Sequence, residues 1–247
     1  MEFNTKKKPL IIAHRGLKAK YPENTMAAFK AALDLGVTMI ELDVTLTLDR
    51  EVVVIHDKTL ERTSSGSGSV RDWLWEDLRK LDAGSWFSPR FNGEKIPSLE
   101  EVLSLCAGRV QVNVEIKPEA FEEQNPADAI EIKVLDLVET FAMTDSVLIS
   151  CFEPRVIQRI EAMKRRKPKT AFLSEDPLDN AMVDFMVRHG VSAYNPDHRT
   201  LEKNHVETVH NLGIQVFTYT VNTKEDAGRC FAMGVDGIFT DDPTLFS

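Results

Sequence analysis

At 247 residues, 43% hydrophobic and 28% charged, the chain is the size of one (β/α)8 barrel and long enough to bury a substantial core. Its 30 Lys and Arg against 39 Asp and Glu give a net charge of -9, which excludes an electrostatic footprint for nucleic acid and requires local cations for any anionic substrate. Cys106, Cys151 and Cys230 are widely spaced without a CxxC pattern and read as reduced, structural thiols; no apolar run suits a signal peptide or a membrane span, so a cytoplasmic protein is expected.

Short β-rich runs alternate with helical patterns, the sign of βα units and a parallel sheet. "LIIAH" (10–14) is the first strand, and "ENTMAAFKAALDLG" (23–36) spaces Ala27, Ala28, Ala31, Ala32 and Leu35 as a helix stopped by Gly36. "MIELDV" (39–44) is the second strand. The run "VVVIH" (52–56) follows too soon for a parallel crossover, which needs a dozen residues, so it must return as the second arm of a hairpin turning near Asp49 and Arg50. Residues 58–97 fit no βα unit; "TSSGSGS" (63–69) reads as a flexible linker rather than a phosphate cradle, and Trp73, Trp75, Trp86 and Phe87 punctuate the rest. They are expected to form a small insertion capping the barrel mouth, where substrate is selected.

Beyond it, "SLEEVLSLCAG" (98–108) opens on a Ser98–Glu101 capping box. Strands are expected at 112–116, 147–152, 170–174, 192–196, 215–221 and 237–240, with helices at 126–141, 154–163, 179–189, 201–212 and 223–233. With the first two this makes eight barrel strands: an α/β fold, a (β/α)8 TIM barrel forming a single domain over 1–247 with one insertion after the second strand.

The strand ends carry the chemistry. On "IELDV" side chains alternate faces, so Glu41 and Asp43 point the same way, and in a closed interior two uncompensated carboxylates are strongly penalised unless a cation joins them. Glu115 and Lys117 share a face in the same manner at "EIK". Glu41, Asp43 and Glu115 are three hard oxygen donors, suited to Mg2+ or Ca2+ rather than Zn2+, although a buried ion network with Arg15 and Lys117 would use the same residues. With a divalent cation the three carboxylates leave one negative charge, which Arg15 and Lys117 overcompensate by one, so a monoanionic phosphodiester would neutralise the pocket. His14 and the returned His56 end different strands and could supply a general base and a general acid, where a lone histidine would more commonly be structural. His189, His198, His205 and His210 read as surface residues on or near helices.

Taken in order, "HRG" (14–16), "PENT" (22–25), "ELD" (41–43), "HD" (56–57), "EIK" (115–117), "YTVN" (219–222) and "GVDGIFTDDP" (234–243) resemble the glycerophosphodiester phosphodiesterase family over nearly the whole chain, most closely its short bacterial cytoplasmic members. The resemblance implies a barrel with a divalent metal at Glu41, Asp43 and Glu115, catalytic histidines at His14 and His56, and phosphate contacts at Arg15 and Lys117. It implies hydrolysis of a small-molecule glycerophosphodiester to sn-glycerol 3-phosphate and an alcohol, with His14 as base and His56 as acid. Tyr219 stands where many members carry Trp, a departure that bears on substrate fit. A lysophospholipase D would use a similar site but needs an apolar channel or a membrane-facing patch. A catalytically silent binding barrel is opposed by the intact acid and imidazole positions.

Overall fold

The computed structural model describes residues 8–124 and 126–246. Its strands are β1 (Leu10–Ala13), β2 (Met39–Leu46), β3 (Val52–Val54), β4 (Gln111–Ile116), β5 (Val147–Cys151), β6 (Lys169–Ser174), β7 (Ala193–Pro196), β8 (Gln215–Thr218) and β9 (Gly237–Thr240). Its helices are α1 (Met26–Asp34), the short α2 (Trp75–Leu78), α3 (Leu99–Cys106), α4 (Ile130–Thr140), α5 (Pro154–Ala162), α6 (Asn180–His189), α7 (Lys203–Asn211) and α8 (Lys224–Met233). Neighbouring strands run in the order β1, β9, β8, β7, β6, β5, β4, β2, and β2 pairs with β1 to close the ring. All of these pairings are parallel, giving the expected eight-stranded TIM barrel with helices between strands.

β3 lies outside the ring, antiparallel to β2 with Val44 opposite Val54 and Leu46 opposite Val52, as the hairpin reading requires. Inside the barrel, Ile12, Met39, Leu148, Ala171, Ala193, Phe217 and Phe239 pack into an apolar floor. The opposite strand faces, including Ile40, Leu42, Val112 and Val114, bury against the helices. Strand periodicity thus places one apolar set below the mouth and another beneath the helical ring, which leaves the strand ends for polar groups. Helix starts follow local chemistry: Thr25 caps α1 through Ala28 N, and Ser98 and Glu101 form the reciprocal capping box on α3. β8 stops at Thr218, short of the expected 221, although Tyr219 still pairs in parallel with Asp197 just beyond β7, with Tyr219 N donating to Pro196 O and His198 N to Tyr219 O.

The residues between β3 and α3 pack as a separate apolar cluster, in which Leu60, Val70, Leu78, Ala83 and Ile96 cover Val53 and Ile55 of the hairpin arm and its end. The Gly-Ser run is not a free linker. Ser65 N donates to Asp82 O at 2.8 Å, Gly68 N to Glu61 Oε1 at 2.6 Å, and a Cβ on Gly66 would meet Leu81 Cδ1 at 2.6 Å. Further on, Trp86, Phe87, Phe91 and Tyr21 form a chain of aromatic contacts that docks the insertion on the β1–α1 loop. Among the described residues, no helix is long and apolar enough to cross a membrane.

Candidate active site

A cavity of about 690 Å³ opens at the C-terminal ends of the strands, lined by His14, Arg15, Glu41, His56, Glu115 and Lys117 among others. The "HRG" turn builds its first edge. Arg15 has φ 55 and Gly16 φ 81, and a Cβ on Gly16 would lie 2.7 Å from the Ala28 carbonyl carbon, so glycine lets this turn press against α1. The turn aims Arg15 N at Glu41 Oε2, 2.8 Å away. Asn24, also left-handed at φ 56, donates Nδ2 to Asp43 Oδ2 at 2.8 Å.

Oxygens of Glu41, Asp43 and Glu115 lie within 4.8 Å of one another. The register explains the meeting: Asp43 sits directly beside Glu115 on the neighbouring strand, and Glu41 one step below on the same face. Burial and the adjacent Asp43 and Glu115 charges push Glu41 well above the usual carboxylate range. Glu115 is raised to about 7 by burial and by Asp43, against the opposing pull of Lys117. Asp43 behaves differently: burial acts to raise it, but Arg15 and Lys117 overturn that and hold it well below the normal range. Arg15 Nε stands 3.2 Å from Asp43, and Lys117 Nζ 2.7 Å from Glu115 and 3.4 Å from Asp43. The two cations therefore relieve the like-charge crowding around Glu41 and Glu115 only in part. The group fits a divalent metal ion: three convergent oxygen donors, largely buried, whose ionised forms a cation would stabilise.

The imidazoles are each held by a carboxylate. His14 Nδ1 is 2.6 Å from Asp241 Oδ1, and Asp241 also takes Asn222 Nδ2 at 3.0 Å and pairs with Lys18 at 3.4 Å. His56 Nδ1 is 2.6 Å from Asp57 Oδ1, and Asp57 is gripped by Arg62. Asp241 is held at about 2: burial acts to raise it, and the His14 contact and nearby cations outweigh this. Asp57 is pulled far below the usual range, first by the Arg62 hydrogen bonds. An ionised carboxylate only accepts, so each Nδ1 carries a proton and each neutral ring keeps its lone pair on Nε2. Burial, only partly offset by Asp241, lowers His14 to about 4. Burial also lowers His56, with Asp43 opposing.

All seven residues singled out in the sequence thus meet at one mouth. His198, read as a surface histidine, instead lines the cavity with its side chain 12% exposed, because the β7–α7 loop folds inward and its backbone N donates to Tyr219 O. Glu23, Asn24, Asp57, Arg62 and Asp241 were not singled out as site residues. "PENT", "HD" and "TDDP" contained four of them; Arg62 had no signal of its own. Along the opposite wall run Phe152, Glu175, Asp197 and Tyr219, with Phe152 edge-on to Tyr219 at 6.0 Å and Tyr219 Oη donating to Ser174 O at 2.9 Å.

Residues 14–245 match the glycerophosphoryl diester phosphodiesterase family. The chain belongs to that family. A glycerophosphodiester phosphodiesterase of Caldanaerobacter subterraneus subsp. tengcongensis is 38% identical over 96% of this chain and 95% of its own length. Among solved structures, an Oleispira antarctica phosphodiesterase in complex with the product sn-glycerol-3-phosphate superposes with a TM-score of 0.87 at 26% identity, covering 95% of this chain and 94% of that one. A glycerophosphodiester phosphodiesterase from Agrobacterium tumefaciens gives a TM-score of 0.82 at 30% identity over 97% of this chain and 99% of its own.

Proposed function

We propose that this protein hydrolyses glycerophosphodiesters to sn-glycerol 3-phosphate and an alcohol, with His14 as general base, His56 as general acid and Mg2+ or Ca2+ held by Glu41, Asp43 and Glu115. The observation that carries this reading is the pair of carboxylate-held imidazoles lining one cavity with the acidic triad. Three buried free cysteines suit a reducing, cytoplasmic setting.

Arg15 and Lys117 would bind the non-bridging phosphate oxygens, since both are cations on the cavity wall and neither can lose its proton at neutral pH while flanked by Asp43. A divalent ion in the triad supplies further stabilisation of the charge that builds on phosphorus oxygens. His14, lowered to about 4, is unprotonated at neutral pH and takes the proton of the attacking oxygen on Nε2. Asp241 keeps the other nitrogen protonated and steadies the imidazolium that results. His56 would give the leaving alkoxide a proton from Nε2 in its imidazolium form, which burial disfavours and the nearby Asp43 charge favours.

The decisive assay is release of sn-glycerol 3-phosphate from glycerophosphocholine and glycerophosphoethanolamine by enzyme stripped with chelator and then reloaded with Mg2+ or Ca2+. Loss on stripping and recovery on reloading is expected. Full turnover by a verified metal-free preparation would overturn the metal assignment. Glu115→Gln, which keeps shape but removes a ligand charge, should weaken divalent-ion binding in calorimetry while leaving the far-ultraviolet circular dichroism spectrum in place.

A further inference from the structure

None of the described residues 58–97 lines the large cavity. One of them nevertheless enters the charge network behind it. Arg62 donates Nε to Asp57 Oδ2 at 2.6 Å and Nη2 to Asp57 Oδ1 at 2.9 Å; with Nη1 and Nη2 it also reaches Glu23 Oε2 at 3.0 Å and Oε1 at 2.7 Å. A guanidinium offers five N–H groups in one rigid plane, so a single side chain can grip two carboxylates on adjacent edges.

Each carboxylate serves the site on its other side. Asp57 Oδ1 accepts from His56 Nδ1, and Glu23 Oε1 accepts from Arg15 Nη1 at 2.8 Å. Arg15 in turn lies against Asp43. The series Asp43, Arg15, Glu23, Arg62, Asp57, His56 therefore alternates in charge from metal triad to imidazole, and its central link is the insertion's arginine. Glu23 is 5% exposed, so without Arg62 this carboxylate would have to be compensated chiefly by Arg15, with a lesser pull from Lys18. Arg15 would be drawn toward it, and Asp57, freed on one side, would turn to water.

We propose that Arg62 is a positioning residue. It fixes the His56 ring through Asp57, and by sharing Glu23 it leaves Arg15 available to phosphate. The claim about the kinetic consequence rests on the reading of His56 as the acid; the claim about ring and guanidinium placement does not. It gives the insertion a task other than lining the substrate cavity: docked on the β1–α1 loop by its aromatic chain, it locks the two arms of the site together.

The test uses metal-loaded full-length enzyme, with Arg62→Ala, Arg62→Lys and, as control, Arg79→Ala, an exposed insertion arginine whose ion-pair contact to Glu76 is 3.5 Å long. Nitrogen-15 spectra of the histidine rings should show His56 as one Nδ1–H tautomer in the wild type and in Arg79→Ala, and as a mixture in Arg62→Ala. Turnover of glycerophosphocholine by Arg62→Ala should fall about 10²-fold, against a few-fold for a nitrophenyl phosphodiester whose leaving group needs no proton. KM should rise several-fold on both substrates through Arg15. Arg62→Lys, which can meet one carboxylate at a time, should recover part of each effect, and it carries the same readouts if the alanine variant does not fold. An unchanged His56 spectrum overturns the proposal, whether turnover is normal or falls equally on both substrates. If the wild type releases no glycerol phosphate from any diester, the functional reading fails, and the ring spectra still decide the positioning claim.

Discussion

His14 and His56 are built alike at Nδ1 and differently behind it. His14 has a side chain 13% exposed, and its carboxylate, Asp241, comes from the end of the last barrel strand. His56 is 32% exposed, its carboxylate is the next residue in the chain, and that carboxylate is held from the insertion. Deep burial, only partly offset by Asp241, makes protonation of His14 unfavourable; burial lowers His56 as well, but that ring sits in the opposing field of Asp43 and nearer to water. The two rings share a hydrogen-bonding pattern but differ in solvation, and in the proposed mechanism the more buried ring is the base and the more exposed ring the acid.

The largest expected effect tests the base. His14→Ala should lose about 10³- to 10⁴-fold in turnover on both glycerophosphocholine and a nitrophenyl phosphodiester, since no leaving group replaces a missing base. Steady-state rates on the pair measure it, and selective survival on the activated substrate would exchange the two roles. Next comes His56→Ala, expected to fall about 10²- to 10³-fold on glycerophosphocholine but under about tenfold on the nitrophenyl diester. Equal losses there would break the assignment of acid.

The smallest effect is thermodynamic and sharpens the contrast in burial. His14 goes from 6.5 in its ordinary state to about 4 in the fold, so between these values the unfolded chain binds more protons than the folded one. The stabilisation is complete above pH 6.5 and is lost as pH falls through about 4, at most on the order of 3 kcal/mol for His14. Urea melts of wild type and His14→Ala should therefore converge, or their order should shift by that amount, on going from pH 7 to pH 4. The same comparison for His56→Ala should move less. A larger movement for His56 would mean that the more exposed ring is the more strongly desolvated one, and the contrast would collapse.

Much of this architecture was legible from short-range pattern. Alternation along residues 39–44 places Glu41 and Asp43 on one face, and the short turn at Asp49 and Arg50 forces a hairpin, which brings His56 back to the rim. These are consequences of strand geometry, which repeats every two residues and can be read locally. The Ser98–Glu101 box is local for the same reason.

Which charges meet was decided by the tertiary structure. Asp241 reaches His14 across 227 positions of sequence, and Glu23 meets Arg62 across 39. Nothing in the spacing of "ERTSS" distinguishes Arg62 from the other arginines of the insertion, and His198 read as a surface residue until the β7–α7 loop turned it inward. An ion pair or hydrogen bond depends on distances of about 3 Å and on the water excluded around it. Strand period sets the direction of a side chain, but only closure of the barrel and docking of the insertion set those distances and that exclusion.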